Sequence, residues 1–441
     1  MFPFVTAYDP LGGSAGSIDP LGALQTYGLL ADLLLPGVTT ITTRSRYLSM
    51  VCAAIANAEK GQQVLPGPSG LAQRRKAIEP FERLWALACV AAGDAGHEGA
   101  SDGLRGISYA ERTYRDLRAK NRPASCDFPL LKYQSRTGAV GTYWTALVGG
   151  QLVERDSGSL SSEGQELAKR FPEPRVTARD KGRLADPSIA HRVSVPFDDL
   201  VMWGEECHLQ AATDEEKQQL GEALTASDRR DCVSRALRMM KGAIPDEWNT
   251  EHLVTLGKKL VTLRQAVELG LPLVIDAIVV SEQFHEAVLA AFEILLWWGT
   301  QNASKPTADL FVDADFRSTF DRCRATAQRF RDFRDGCARR DVREATQGLA
   351  TFCSRIDVCQ SARELVIEIM DHHHRVQSGK LDGGVPKRDW ITWHGRNILR
   401  PSPRFQRNNP PSPATGISLT HPYRLEPFVQ MLRENGWLVS D

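Results

Sequence analysis

Val140-Gly141-Thr142-Tyr143-Trp144-Thr145-Ala146-Leu147-Val148-Gly149-Gly150-Gln151-Leu152-Val153-Glu154-Arg155-Asp156-Ser157-Gly158-Ser159-Leu160 is the stretch whose reading decides the fold. Val140, Tyr143, Trp144, Leu147 and Val148 recur at i, i+3, i+4, i+7 and i+8, the period of an amphipathic helix. Gly149-Gly150 stops it, because glycine takes the left-handed conformation of a helix end at no steric cost. Residues 151–155 predict a short strand, Asp156-Ser157-Gly158 a tight turn, and Ser159-Leu160 a returning strand. Ser162 and Gln165 then spell an S-x-x-Q capping box that opens a helix through Leu167, Ala168 and Phe171.

Helical periodicity extends outward in both directions. Leu21, Leu24, Leu29, Leu30, Leu33 and Leu34 mark one helix, closed by Pro36-Gly37. Residues 44–60 predict a second and residues 71–92 a third, with Pro80 expected to kink or bound it. A Gly- and Asp-rich break at 93–106 precedes a helix at 107–119. Beyond the central stretch, residues 172–196 carry four prolines and predict a linker. Residues 197–298 are helical in pattern throughout. Residues 315–351 predict one long helix or a pair broken near Gly336. Residues 361–376 are helical again, 385–418 lack periodicity, and 421–437 close with one helix. Strands and helices never alternate as a doubly wound sheet requires.

The order helix, hairpin, helix across 140–171 resembles the end of a winged helix. The fold expected is therefore mainly α, a multidomain helical protein with one winged-helix-like module carrying a small β-hairpin. The segments are 1–95 (N-terminal helical), 96–172 (winged-helix-like), 173–300 (central helical) and 301–441 (Arg-rich helical region and tail). In a DNA-bound winged helix the amphipathic helix enters the major groove and the hairpin touches phosphate or minor groove. The donors available for that are Thr142 with Thr137 and Thr145, and Arg136, the one side chain well suited to guanine edges. Arg155 is the cation of the wing. Winged helices serve equally as protein–protein modules, so duplex DNA and a partner subunit both remain open.

Composition narrows the classes. The 441 residues are 24% charged, with 54 Lys plus Arg against 54 Asp plus Glu. That balance opposes disorder and a uniformly basic coat, but permits local patches. The nine cysteines form no Cys-x-x-Cys pair. They predict reduced, buried thiols of a cytoplasmic protein. The most apolar stretches, 271–280 and 287–298, fall short of the ~20 residues of a membrane span, so no membrane partner is expected. Gly12-Gly13-Ser14-Ala15-Gly16 matches G-x-S-x-G without the strand and helix of a nucleophile elbow. Asp371-His372-His373-His374 cannot converge on one ion, since adjacent helical residues diverge. A position at a helix end, favourable to a cationic ring, explains it instead. No catalytic residue, metal or cofactor is expected.

Three basic groups remain. Arg44, Arg46 and Tyr47 stand at a helix start, where positive charge opposes the macrodipole and suggests a partner anion, phosphate or carboxylate. Residues 322–343 hold eight arginines against three aspartates. Residues 387–407 hold Lys387, Arg388, Arg396, Arg400, Arg404 and Arg407 against Asp389, with Trp390, Trp393 and Phe405 interleaved. Basic groups beside aromatics suit backbone neutralisation with base stacking. The alternative is a solvated face paired to acidic neighbours.

The block Leu34-Leu35-Pro36-Gly37-Val38-Thr39-Thr40-Ile41-Thr42-Thr43-Arg44-Ser45-Arg46-Tyr47 resembles a bacterial family of unknown function with a Pro-Gly-Thr-Ser-Thr-Ile-x-Thr-Arg-x-Arg-Tyr signature. Gly103-Leu104-Arg105-Gly106 and Tyr143-Trp144 follow in the family's order, while Val38 replaces its preferred Thr. The resemblance implies a setting among phage-defence and mobile-element genes. It implies no catalytic residues, and Arg44, Arg46 and Tyr47 carry over as signature positions only. The function expected is a non-catalytic DNA-binding or adaptor subunit of such a system, with partner subunits of a defence complex. A nucleic-acid-processing enzyme without a recognisable motif and an interaction scaffold are the alternatives.

Overall fold

The computed structural model describes residues 19–61, 67–382, 385–395, 397–411 and 419–438. Helices dominate, and the strands among the described residues form two short antiparallel pairs. The mainly α class follows. The chain gathers into two compact units, each discontinuous in sequence. One joins Met1–Leu34 to Ile244–Tyr423, and the other joins Leu35–Ala243 to Arg424–Asp441.

The Leu35–Ala243 unit is built on the Arg46–Gly61, Gly67–Asp94 and Phe197–Cys207 helices. Tyr47, Phe81, Trp85, Tyr143, Phe171 and Trp203 fill its core. Phe81 meets Trp203 edge-on at 5.9 Å. Pro80 does not bound a helix, for Gly67–Asp94 runs through it. Gly37 adopts φ +82°, and a Cβ there would stand 3.2 Å from the Thr145 carbonyl and 3.3 Å from Gly149 Cα. The Pro36-Gly37 turn thus lies directly against the Ala139–Gly149 helix, a tight approach in a left-handed conformation that favours glycine.

The helix–hairpin–helix order predicted at 140–171 is present. Val153 bridges Leu160 antiparallel. Glu154 N–H donates to the Ser159 carbonyl at 2.8 Å, and Ser161 N–H to the Leu152 carbonyl at 3.0 Å. The hairpin is therefore a single bridge with its turn, not extended strands. The following helix, Ser162–Arg170, is capped one residue earlier than predicted. Ser161 holds extended backbone and its hydroxyl accepts from Gly164 N–H at 3.0 Å, whereas Ser162 is already helical. Residues 172–196 are no linker. Thr177 caps an Ala178–Ala185 helix that buries Leu184 and Ala185, and Val195 bridges Ala124. Two of the segment's prolines precede this helix and two follow it, so none interrupts it.

The other unit packs around the 31-residue Leu271–Gln301 helix. Gly270 at φ +69° precedes it and Pro272 sits in its first turn, where the missing N–H costs nothing. Leu24–Leu34, Thr250–Val261 and Ala314–Gly336 lie against it. Phe284 contacts Phe330 and Phe352 in the core. The break near Gly336 is real, and Arg340–Ala345 and Gln347–Val358 follow it. The aperiodic tail, in contrast, contains pleated structure. Leu381–Asp382 pairs with Val385–Pro386, and Ile391–His394 with Ile398–Pro401. Ile391 and Leu399 face inward while Thr392 and Arg400 face solvent, an alternation too short to stand out in sequence. Among the described residues no helix is long and apolar enough to cross a membrane.

Candidate nucleic-acid interface

The signature residues lie inside the Leu35–Ala243 unit. Arg46, 2% exposed, donates from Nε to Glu216 Oε1 at 3.3 Å and from Nη2 to Glu216 Oε2 at 3.1 Å. Its remaining donors reach the carbonyls of Glu206 and His208, and its guanidinium lies 5.6 Å from the Phe171 ring. Arg44 pairs with Glu434 at 2.6 Å. Glu434 Oε2 also accepts from Ser45 N–H at 3.0 Å and the Ser45 hydroxyl at 3.1 Å. The anion implied at this helix start is thus a carboxylate of the C-terminal Leu425–Glu434 helix. Tyr47 stacks on Tyr143 at 4.5 Å and stands edge-on to Trp85 at 4.8 Å. Each phenol oxygen accepts a backbone N–H, Tyr47 from Arg105 and Tyr143 from Arg44. Of the side-chain nitrogen and oxygen atoms that Arg44, Arg46 and Tyr47 bury, Arg44 Nε alone lacks a hydrogen-bond partner.

The Ala139–Gly149 helix offers no groove-reading face. Thr142 is 1% exposed and its hydroxyl turns back to the Thr137 carbonyl. Only Thr145 of that helix is exposed. Gln134, just before it, is buried: its amide donates to Glu82 Oε2 at 2.9 Å and its oxygen accepts from Arg83 Nε at 2.8 Å. Glu82 Oε1 accepts from Ala139 N–H at 2.8 Å, so a carboxylate from Gly67–Asp94 caps this helix. Burial pushes the Glu82 carboxyl up to about 7, against the hydrogen bonds from Gln134 and Ala139. Arg136 and, on the hairpin, Arg155 remain exposed.

In the other unit four of the eight arginines of the 322–343 interval pair with carboxylates. Arg322 meets Glu286 at 2.9 Å, Arg339 meets Asp341 at 2.5 Å, Arg340 meets Glu344 at 2.6 Å, and Arg331 contacts Asp357. Two aromatics of the tail are occupied too, since Trp390 stacks on Phe405 at 4.3 Å. Arg400, Arg404 and Arg407 are exposed, and Arg396 lies outside the described residues, as does the Gly12–Gly16 motif.

The three adjacent histidines diverge, each to its own partner. His372 Nε2 meets the Leu21 carbonyl at 2.9 Å, His373 Nδ1 the Pro20 carbonyl at 2.9 Å, and His374 Asp389 at 2.8 Å. His373 Nε2 accepts from Trp390 N–H. They sit inside the Ala362–Ser378 helix, not at its end. Burial lowers His373 and pushes His372 down to about 4. His372 and His373, kept neutral by burial, hold the entry to Leu24–Leu34 in place of the cationic helix-end role expected of them. Among the described residues no group of three or more His, Cys, Asp or Glu is placed to hold a metal.

A second polar cluster fastens residues 419–423 to the Leu271–Gln301 helix. Glu282 accepts from Thr420 N–H at 2.7 Å, the Thr420 hydroxyl at 2.9 Å and Tyr423 Oη at 2.9 Å. Burial pushes Glu282 up to about 7 and His285, 3.2 Å from the Thr420 hydroxyl, down to about 4. A pocket of about 230 Å³ between Arg46–Gly61 and Ala178–Ala185, rimmed by Lys60, Glu173 and Lys181, is smaller than ordinary small-molecule sites.

A group of cations open to a ligand lies beside Arg136. Arg105 Nε donates to the Thr137 carbonyl at 2.5 Å, and a Cβ on Gly106 would stand 2.4 Å from the Leu130 carbonyl. The start of the Ile107–Ala119 helix is thereby held against residues 130–137. These two segments expose Arg112, Lys132 and Arg136, and none of the three has a carboxylate partner among the described residues. Tyr109 and Tyr133 are exposed with them. Sequence reasoning found Arg136 and missed the other four. The available signal was Tyr109-x-x-Arg112, one helical turn apart on a strongly charged helix. No family model, curated protein or solved structure matches this chain.

Proposed function

We propose that this protein is a non-catalytic nucleic-acid-binding or adaptor subunit. One observation carries the reading. Arg112, Lys132 and Arg136 stand exposed and without carboxylates on two segments held together at Gly106, while Arg44, Arg46 and four of the eight 322–343 arginines are paired with carboxylates of this chain. Cations left unpaired in a chain of zero net charge are available to phosphates. The signature resemblance supplies the setting, a bacterial antiphage-defence or mobile-element system with partner subunits. Arg155, Arg400 and Arg407 are further exposed cations that could extend such a surface within their own units.

The test is fluorescence anisotropy of the full chain with labelled oligonucleotides at low salt. Joint replacement of Arg112, Lys132 and Arg136 by Ala should weaken every sequence alike and flatten the dependence of log affinity on log salt by about two to three units. Wild-type protein that binds no nucleic acid at about 50 mM salt, where such electrostatics are strong, would sink the reading.

A further inference from the structure

We infer that the Tyr109–Arg136 surface takes single-stranded nucleic acid, with bases stacked on Tyr109 and Tyr133; this rests on the nucleic-acid reading above and names its substrate class. The tyrosines divide sharply. Of the seven in the described residues, Tyr27, Tyr47, Tyr114, Tyr143 and Tyr423 are buried, while Tyr109 is 44% and Tyr133 58% exposed. The two exposed rings lie on the two segments locked together at Gly106. Each has a cation beside it, Arg112 at 5.5 Å from the Tyr109 centroid and Lys132 at 5.4 Å from that of Tyr133. A ring next to a guanidinium or ammonium offers a base a stacking face and its phosphate a counter-charge at the same place.

Duplex fits this surface poorly. Its base faces are covered by their neighbours, so the rings would find only edges and backbone. The helix that would read a major groove, Ala139–Gly149, is exposed at Thr145 alone. Splayed bases of a single strand meet neither obstacle.

The experiment measures affinity of the full chain for labelled oligo(dT), oligo(U) and a duplex of equal length at about 50 mM salt, where phosphate contacts are strong. The single strands should each bind at least ~10-fold tighter than duplex. Tyr109→Ala and Tyr133→Ala should each lose about fivefold to a hundredfold in single-strand affinity, and Tyr→Phe should restore it, since Phe keeps the stacking face. Both rings are exposed, so unchanged circular dichroism and denaturation midpoints separate lost binding from lost folding. Duplex binding equal to or tighter than single strand, Ala variants with unchanged affinity, or equal capture of an acidic polypeptide overturns the single-strand assignment. The first two leave the broader nucleic-acid reading standing. Binding of neither strand form overturns both.

Discussion

The Arg44–Tyr47 block and the Tyr109–Arg136 surface use the same chemistry, guanidinium beside phenol, within one unit and to opposite ends. In the first, Arg46 meets Glu216 with both side chains at most 2% exposed, and Tyr47 is stacked on Tyr143. In the second, Arg112 and Tyr109 are exposed beside each other. The difference is the supply of acceptors. Glu216, Glu434 and the carbonyls of Glu206 and His208 converge on the first block. No carboxylate converges on Arg112, Lys132 or Arg136 among the described residues. A conspicuous motif can thus be an internal brace, and an inconspicuous stretch can hold the open chemistry.

The comparison breaks most visibly at Arg46. Arg46→Ala leaves Glu216 charged and buried, and should cost about 3–5 kcal/mol by urea denaturation. Replacing Arg46 and Glu216 together by apolar residues should cost less than Arg46→Ala alone. A loss under about 1 kcal/mol for the single variant would place the pair among weak surface bridges.

A pH effect of about 3 kcal/mol is expected from His372, one of the rings that hold the entry to Leu24–Leu34. His372 falls to about 4 in the folded protein, below its ordinary 6.5, so the native state binds fewer protons than the unfolded one between those values. Its contribution is full above pH 6.5 and is lost as pH falls towards 4. His372→Gln should flatten stability against pH across that window. Glu282 acts with the opposite sign. Raised to about 7, it contributes below about pH 4.5 and the contribution is lost as pH rises through 7. Glu282→Gln should remove that decline. A steeper slope in either variant contradicts the assignment.

Smaller effects sharpen the local geometry. Ser161→Ala should cost about 1 kcal/mol, the value of an N-cap, and Ser162→Ala nearly nothing. The reverse order would restore the cap at Ser162. Smallest is the joint Ala replacement of Arg112, Lys132 and Arg136, whose stability should stay within about 0.5 kcal/mol of wild type per site while its nucleic-acid affinity collapses.

The helices were legible in sequence because their apolar residues repeat at 3.6, and the 151–161 hairpin because Asp156-Ser157-Gly158 must turn. The Ile391–His394 and Ile398–Pro401 strands were not, since four residues alternate too briefly. The second unit's return, with Leu425–Glu434 rejoining Leu35–Ala243, leaves no mark in local composition. Partner identity was hidden for the same reason: Glu216 lies 170 residues from Arg46 and Glu434 390 from Arg44. Periodicity could not say that Tyr109 faces out while Tyr114, on the same helix, faces in. Nor could it show that Gln134, next to Arg136, turns inward to Glu82.

The most direct test of the division between brace and binding surface compares two variants in one titration. Oligonucleotide affinity is measured for Arg44→Ala and for the Arg112/Lys132/Arg136 triple Ala variant, each first shown folded by circular dichroism. Arg44→Ala should keep wild-type affinity within about twofold, because its guanidinium is committed to Glu434. The triple variant should lose most of its affinity and most of its salt dependence. A folded Arg44→Ala protein that loses affinity as far as the triple variant would contradict the account, placing the signature block in the binding surface.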